Sequence, residues 1–215
     1  MNILGAVITR AVITLVILVF SAILHEIAHG YVAERFGDPT ARIMGRLTLD
    51  PRKHIDPIMS IALPLLLLIS GSPVIIGGAK PVPVDPFNLR DGRKDLALVS
   101  LAGPLTNVAI AIVASLILKL IPNSSNIILN TSYLILRMIV QLNLLLAIFN
   151  LIPIPPLDGS KIFSLLLPEK MADMYMSQGT IGLILIFVLL MSSGPASLGG
   201  LMFSLLSFSE RLLGL

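Results

Sequence analysis

Two histidines and a glutamate stand at a spacing that suits metal-assisted hydrolysis. They are His25, Glu26 and His29, in the pentapeptide His-Glu-Ile-Ala-His. Positions i and i+4 of a helix share one face, so both imidazoles can bind the same ion. The glutamate would face a water molecule at that ion and act as its base. The motif therefore predicts a zinc site with hydrolytic chemistry.

The motif lies near the end of an apolar run that starts at about Val7. We expect the first helix to span residues 7 to 36 and to stop at Gly37-Asp38-Pro39, because a glycine followed by a proline ends a helix. From His29 to the helix end is about two turns, roughly 10 Å. Ionisable residues within a membrane are costly and are usually kept for function. The site would therefore lie below one membrane surface but remain reachable from it.

The composition is that of a membrane protein. Of 215 residues, 55% are hydrophobic and 13% charged, and the mean hydropathy is +0.95, so we expect one integral-membrane domain over residues 1–215. The absence of cysteine excludes thiolate ligands, a cysteine nucleophile and disulfides, and leaves histidine and carboxylate to bind zinc. The net charge of +3 comes from short connecting segments without interleaved aromatics, so we predict no nucleic-acid partner.

Further apolar runs predict an all-α polytopic membrane bundle of about five to six transmembrane or re-entrant helices. The run at residues 58–69 contains Pro64, is short for a span and is compatible with a re-entrant segment. Whether the last two runs make two crossings, or one crossing and a surface helix, stays open. The remaining runs cover residues 96–121, 128–152, 181–191 and 198–208.

A short membrane-associated β element near the site is also expected. Residues 40–50 are β-branched and alternating enough for a strand or hairpin, although an ordinary polar connector fits equally well. Residues 77–84 contain glycines and prolines and are typical of extended chain. A free backbone edge there could pair with a substrate strand.

The third zinc ligand has a candidate in Asp158. Catalytic zinc sites have three protein ligands and keep the fourth position for water. Asp158 follows the fourth long helix, where three prolines between residues 150 and 157 exclude a regular helix and Gly159 permits a tight turn. Non-helical chain at membrane depth requires a protein or water-filled cavity around it, which an active-site wall provides. A helix-capping or interfacial role for the aspartate is the alternative.

The pentapeptide together with Asn-Leu-Ile-Pro-Ile-Pro-Pro-Leu-Asp-Gly at residues 150–159 resembles the site-2 protease family, peptidase family M50, of membrane-embedded zinc peptidases. Ala-Gly-Pro-Leu-Thr-Asn at residues 102–107 is similar to the helix-three signature of that family. The short connection containing His54-Ile55-Asp56-Pro57 and Gly-Gly-Ala-Lys-Pro-Val-Pro resembles the compact bacterial branch without a PDZ domain. The resemblance covers residues 20 to 160.

This resemblance implies a zinc endopeptidase, with one Zn²⁺ per chain, that cuts membrane-spanning protein substrates within or near the lipid bilayer in regulated intramembrane proteolysis. It implies His25, His29 and Asp158 as ligands and Glu26 as the base. It also implies that Asn107 and Asn150 position the substrate or stabilise the intermediate. Each asparagine could instead only bond a neighbouring helix.

Structural roles can also be predicted for a histidine, a glycine-proline pair and two arginines. His54 could be an accessory ligand or a gate, but a surface position is favoured. Gly103-Pro104 should open the third long helix, since proline suits a first turn, and should allow close packing. Arg10 and Arg137 are expected to extend to the outer membrane interface.

The charge pattern predicts the orientation. Basic residues follow the first helix at positions 35, 42, 46, 52 and 53, so this side should be cytoplasmic and the N-terminus outside, in the plasma membrane of a prokaryote. The first and fourth long helices must then run the same way to bring His29 and Asp158 together.

Two other functions fit parts of the sequence. A metal-braced membrane scaffold would need no base at Glu26, because a structural site has no open position. A small metal-ion transporter would require ionisable residues spread through the membrane, which the apolar runs lack.

Overall fold

The computed structural model describes residues 3–62, 66, 79–122, 126–192, 194 and 197–215, and the regular structure in these ranges is helical. The α-helices are α1 (Ile3–Arg35), α2 (Thr40–Ile43), α3 (Gly92–Leu120), α4 (Ile127–Asn150), α5 (Asp158–Ser164), α6 (Glu169–Met176), α7 (Gly179–Met191) and α8 (Leu198–Leu212). Short 3₁₀ turns form at Pro51–Lys53 and Pro86–Asn88, and a π-helical turn at Pro57–Ala62.

Three of the helices are long and apolar enough to cross a membrane. They are α1, α3 and α4. The pair α6 and α7 meets the same criterion jointly, with a bend of 63° between them, so the described residues offer three spans, or four if this pair is one broken span. An all-helical polytopic membrane protein is therefore confirmed, with fewer full spans than the predicted helix number suggested.

Helix α3 lies at the centre of the packing, against α1, α4 and α5. Its buried face consists largely of small residues, including Ala97, Ser100, Gly103, Ala111 and Ala114, which let neighbouring backbones approach closely. Ala111 and Ala114 form a core cluster with Val140, Leu144 and Leu206 of α4 and α8. Large apolar side chains of α1 remain exposed on the opposite side, as expected of a surface that faces lipid.

The end of α1 is fastened to a distant loop by a buried carboxylate. Asp38 is fully buried and accepts hydrogen bonds from Thr40 N at 3.1 Å, Asp85 N at 2.7 Å and Asn88 Nδ2 at 3.0 Å. Burial alone would raise the pKa of Asp38, but these bonds, with that from the Thr40 hydroxyl, hold it below its ordinary value. The chain at residues 85–88 is thereby held against the end of α1.

The predicted strand over residues 40–50 is wrong. The chain forms the single turn of α2 and a following turn, in which the N–H groups of residues 43 to 46 all bond carbonyls three to five residues earlier. Asp38 also binds the N–H of Thr40, so this segment needs no strand partner. Residues 79–85 have no regular secondary structure and form no ladder among the described residues, and the extended conformation predicted for residues 77–84 stays a prediction. Of the run at 58–69, residues 63–65 and 67–69 lie outside the described ranges, as do Gly77 and Gly78.

Two helix boundaries also differ from the prediction. Helix α3 begins at Gly92, so Pro104 lies inside the helix rather than in its first turn. The first turn of α3 is polar but helical. Its Asp95 carboxylate accepts the N–H of Asp91 at 2.8 Å, which satisfies a backbone donor at the start of the helix. Asp158 and Gly159 are not in a tight turn but begin α5. The preceding prolines end α4 and leave α5 free to form after them.

Candidate active site

The fold brings His25 and His29 of α1 against Asp158 at the start of α5. Their Nε2 atoms are 3.0 Å apart, and each lies 3.2 Å from Asp158 Oδ2. All three residues are buried, although the aspartate is 133 positions from His25 in the chain. They form one compact group of potential metal ligands.

Neighbouring acceptors orient both imidazole rings. His25 Nδ1 lies 2.8 Å from Asn107 Oδ1, and His29 Nδ1 lies 2.7 Å from the carbonyl oxygen of Val99. An amide or carbonyl oxygen can only accept, so each Nδ1 carries the hydrogen and donates it. The Nε2 lone pairs of both rings therefore face each other and the Asp158 carboxylate.

This arrangement of lone pairs fits zinc. Three electron-rich atoms within 3.2 Å of one another repel unless a cation lies between them. Tetrahedral bonds of about 2.0–2.1 Å would place ligand atoms roughly 3.3 Å apart, close to the observed spacing. Two imidazoles and one carboxylate are also the donor set of a catalytic zinc that keeps its fourth position open.

Gly103 provides the space that the imidazoles occupy. A Cβ atom added there would lie 2.5 Å from His25 Cε1, His25 Nε2 and His29 Nε2, which no real side chain tolerates. The close packing expected of this glycine is therefore present. Its position in the middle of α3 is what brings that helix directly against the candidate metal ligands.

Two basic side chains hold the segment that carries Asp158. Lys161 Nζ donates to Asp158 Oδ1 at 3.0 Å, so the other carboxylate oxygen, Oδ2, faces the imidazoles. Arg93 of α3 donates to the carbonyls of Ser164 and Leu167 at the end of α5, where cations stabilise a helix terminus. The sequence analysis missed Lys161. Its spacing of three from Asp158 would have indicated the contact if α5 had been predicted.

A cavity of about 570 Å³ opens beside this group. Its walls come from α1, from α3 near Leu96 and Val99, from the segment at residues 79–86, and from the turn after α4. Glu26 lines the cavity next to the two histidines. Water or a peptide in this space would meet the candidate ligands and the glutamate together.

The segment at residues 79–85 contacts Glu26 through one backbone donor. Val82 N donates to Glu26 Oε2 at 2.7 Å. The flanking Pro81 and Pro83 have no N–H, so Val82 is the single residue of this tripeptide that can donate. One carboxylate oxygen of Glu26 is thereby held, and the other remains available.

The segment that contains Val82 is also held by hydrogen bonds to the two residues before it. Buried Arg46 donates to the carbonyl oxygens of Lys80 at 2.7 Å and Pro81 at 3.2 Å. Lys80 N donates to His54 O at 2.8 Å. A Cβ on Gly30 would lie 2.9 Å from Val82 Cγ1, so the chain packs tightly on α1. These contacts fix the position of Val82 relative to Glu26.

The other candidate residues lie in three different settings. Asn107 is fully buried, contacts His25 and does not itself line the cavity. Asn150 lines the cavity, and its Nδ2 donates to Leu146 O in its own helix. His54 is 3% exposed with Nε2 2.8 Å from Thr48 O, so its predicted surface position is wrong. His54 is not part of the ligand group that the described residues form.

Comparison with known proteins agrees with these motifs. The sequence model of peptidase family M50 matches residues 13–135 and 120–193. The chain is 38% identical to YwhC of Bacillus subtilis, which is named as a zinc metalloprotease, over 83% of this chain and 78% of that protein.

More distant relatives carry similar names. Rip2 of Mycobacterium tuberculosis, also named as a zinc metalloprotease, is 37% identical over 65% of this chain and 51% of its own length. The zinc metalloprotease MJ0392 of Methanocaldococcus jannaschii is 28% identical over 72% of this chain and 34% of its length. The chain thus spans about half of Rip2. No solved structure matches it.

Replacing Gly103 with alanine should weaken zinc binding by more than about tenfold, because the new methyl group displaces both imidazoles. The measurement is a zinc titration of the purified apoprotein, with circular dichroism to verify the helix content. Gly179→Ala is the matched control, since nothing lies within 4 Å of a Cβ there, and it should bind zinc as the wild type does. Unchanged affinity in Gly103→Ala would contradict this geometry.

Proposed function

Because the chain belongs to peptidase family M50 and is a zinc metalloprotease, we propose that it is an intramembrane endopeptidase. Its substrates would be membrane-anchored proteins, cut within or near the bilayer during regulated intramembrane proteolysis. The observation that carries this proposal is the position of the histidine pair and Glu26 inside α1, a helix suited to span a membrane. A hydrolytic site inside such a helix meets peptide bonds at membrane depth.

We propose His25, His29 and Asp158 as the residues that hold the zinc. When bound there, zinc acts as a Lewis acid that polarises a carbonyl group and makes a water molecule more acidic. Asn107 and the Val99 carbonyl would keep the imidazoles oriented, as such acceptors commonly do for metal-binding histidines. Lys161 would occupy Asp158 Oδ1, so that the carboxylate offers one oxygen and leaves a position free for substrate or water.

Glu26 is the proposed general base. With Oε2 held by the Val82 N–H at 2.7 Å, its other oxygen is free to take a proton from water in the cavity. The same carboxyl group can then deliver the proton to the departing amine nitrogen of the cleaved bond. Val82 is thus proposed as a positioning residue that acts through the orientation of Glu26.

A substrate must present an extended peptide to these groups. The carbonyls of a transmembrane helix are occupied by internal hydrogen bonds, so the helix must unwind locally before cleavage. We propose that residues 79–84 guide the unwound segment by backbone pairing. Arg46 already binds the carbonyl oxygens of Lys80 and Pro81, and Glu26 already accepts the N–H of Val82. The pairing would therefore rest on the carbonyl oxygens of residues 82 to 84, which would accept N–H groups of the substrate. Asn150, which also lines the cavity, would contact the substrate as well.

The proposed orientation places the N-terminus outside and the site near the cytoplasmic face of a prokaryotic plasma membrane. The basic residues that follow α1 support this orientation.

Glu26→Gln should abolish cleavage while leaving zinc bound, because glutamine preserves the shape of the side chain but accepts no proton. We expect a loss of about 100- to 10,000-fold for a co-expressed single-span reporter that the wild type cleaves. Zinc content by elemental analysis serves as the control. Wild-type turnover in this variant would refute Glu26 as the base.

Val82→Pro should lower kcat by about 10- to 100-fold, the value of one hydrogen bond to a charged group. Proline removes the N–H that holds Glu26. The readouts are the separate kcat and KM values for the same reporter, and zinc content, which should not change. Val82→Ala keeps the N–H and should retain a kcat near that of the wild type. Equal kcat values in Val82→Pro and Val82→Ala would exclude the positioning role.

A further inference from the structure

A second cavity, a groove of about 470 Å³, lies between α1 and α4 and is separate from the cavity beside the histidines. Two arginines line it, Arg10 from α1 and Arg137 from α4. The apolar part of its lining comes from Ile13, Leu134, Ile135 and Met138. The other lining residues are neutral and polar, so no carboxylate lines this groove.

Arg137 and Arg10 lie in corresponding parts of the two helices. Arg137 comes ten residues after the first residue of α4, which spans Ile127–Asn150, and Arg10 comes seven residues after the first residue of α1. Both side chains are exposed and line the same groove, so one ligand at this end of the helices can meet both guanidinium groups. A charge within an apolar membrane helix requires a partner.

The described residues supply no such partner. The ion pairs among them involve other residues, and neither Arg10 nor Arg137 takes part in one. Gln141, which also lines the groove, donates to Glu210 Oε1 at 2.8 Å, so that carboxylate oxygen bonds a neutral amide. The groove thus carries two guanidinium groups that face no compensating negative charge in its lining.

We propose that this groove binds the phosphate of an anionic phospholipid from the leaflet near the start of α1. Guanidinium groups bind phosphate through paired hydrogen bonds, and basic pockets between membrane helices suit lipid headgroups. The apolar part of the lining would contact an acyl chain. Leu134 is 61% exposed on this side of α4, so the groove is open to lipid laterally.

A lipid in this position joins the two helices that line the groove. Helix α1 carries both histidines of the candidate metal site, while α4 leads into the turn that precedes Asp158. Since a ligand that binds only the folded state stabilises it, anionic lipid should raise the stability of the α1–α4 contact. This inference is independent of the peptidase activity, because it concerns the opposite end of the bundle from the cavity.

The test uses the purified full chain in nanodiscs of phosphatidylcholine with increasing phosphatidylglycerol. Native mass spectrometry counts retained phosphatidylglycerol, and a thermal melt reports stability. We expect phosphatidylglycerol to be retained and to raise the melting temperature. Its affinity should fall about fivefold for each arginine replaced in Arg10→Gln and Arg137→Gln.

The matched control is the double variant Arg42→Gln with Arg52→Gln, which removes the same charge from exposed ion pairs with Glu34 and Asp50. It should bind phosphatidylglycerol as the wild type does. Arg10→Gln alone, at an exposed position, tests the site if the Arg137 variant fails to fold. The proposal is overturned if Arg10→Gln binds phosphatidylglycerol like the wild type. It is also overturned if pure phosphatidylcholine stabilises equally, or if inorganic phosphate alone reproduces the effect.

Discussion

Three lone pairs that converge on one point are the constraint around which the rest of the structure is arranged. Two imidazole nitrogens and a carboxylate oxygen lie within 3.2 Å of one another, and a metal cation between them would remove the repulsion among their lone pairs. The hydrogen-bond acceptors behind the rings fix which nitrogen faces inward. Gly103 removes the side chain that would occupy the same space. The ligand group therefore requires α3 as much as it requires the histidines themselves.

Placing this chemistry in a membrane adds a second requirement, which is non-helical chain beside the site. Such chain must have its backbone groups satisfied by protein when water is scarce. Arg46 and His54 bind the chain before Val82, and Asp38 binds it afterwards. The polar residues between α1 and α3 thus have a common structural effect. They hold a non-helical, proline-rich segment at a fixed distance from Glu26.

Much of the fold followed from hydropathy, because long apolar runs have few alternatives to helices in a membrane. The candidate ligands followed from the histidine spacing and from resemblance. The predictions that were wrong, and the contacts that were missed, depend on tertiary contacts. Residues 40–50 alternate like a strand, but the local carbonyls and Asp38 satisfy their N–H groups. Helix α3 extends into a polar segment that Asp95 caps. The contacts of Lys161, Arg93 and buried His54 depend on α5 and on loop packing, which periodicity does not encode.

The most direct test of the account is the zinc content of the purified wild type and of Asp158→Ala, measured by elemental analysis after dialysis against a weak chelator. Asp173→Ala, which removes an exposed carboxylate of α6, serves as the control. The account predicts about one zinc per chain in the wild type and in the control, and almost none in Asp158→Ala. Full retention of zinc by Asp158→Ala would contradict it, because the two histidines would then bind the metal without the distant aspartate.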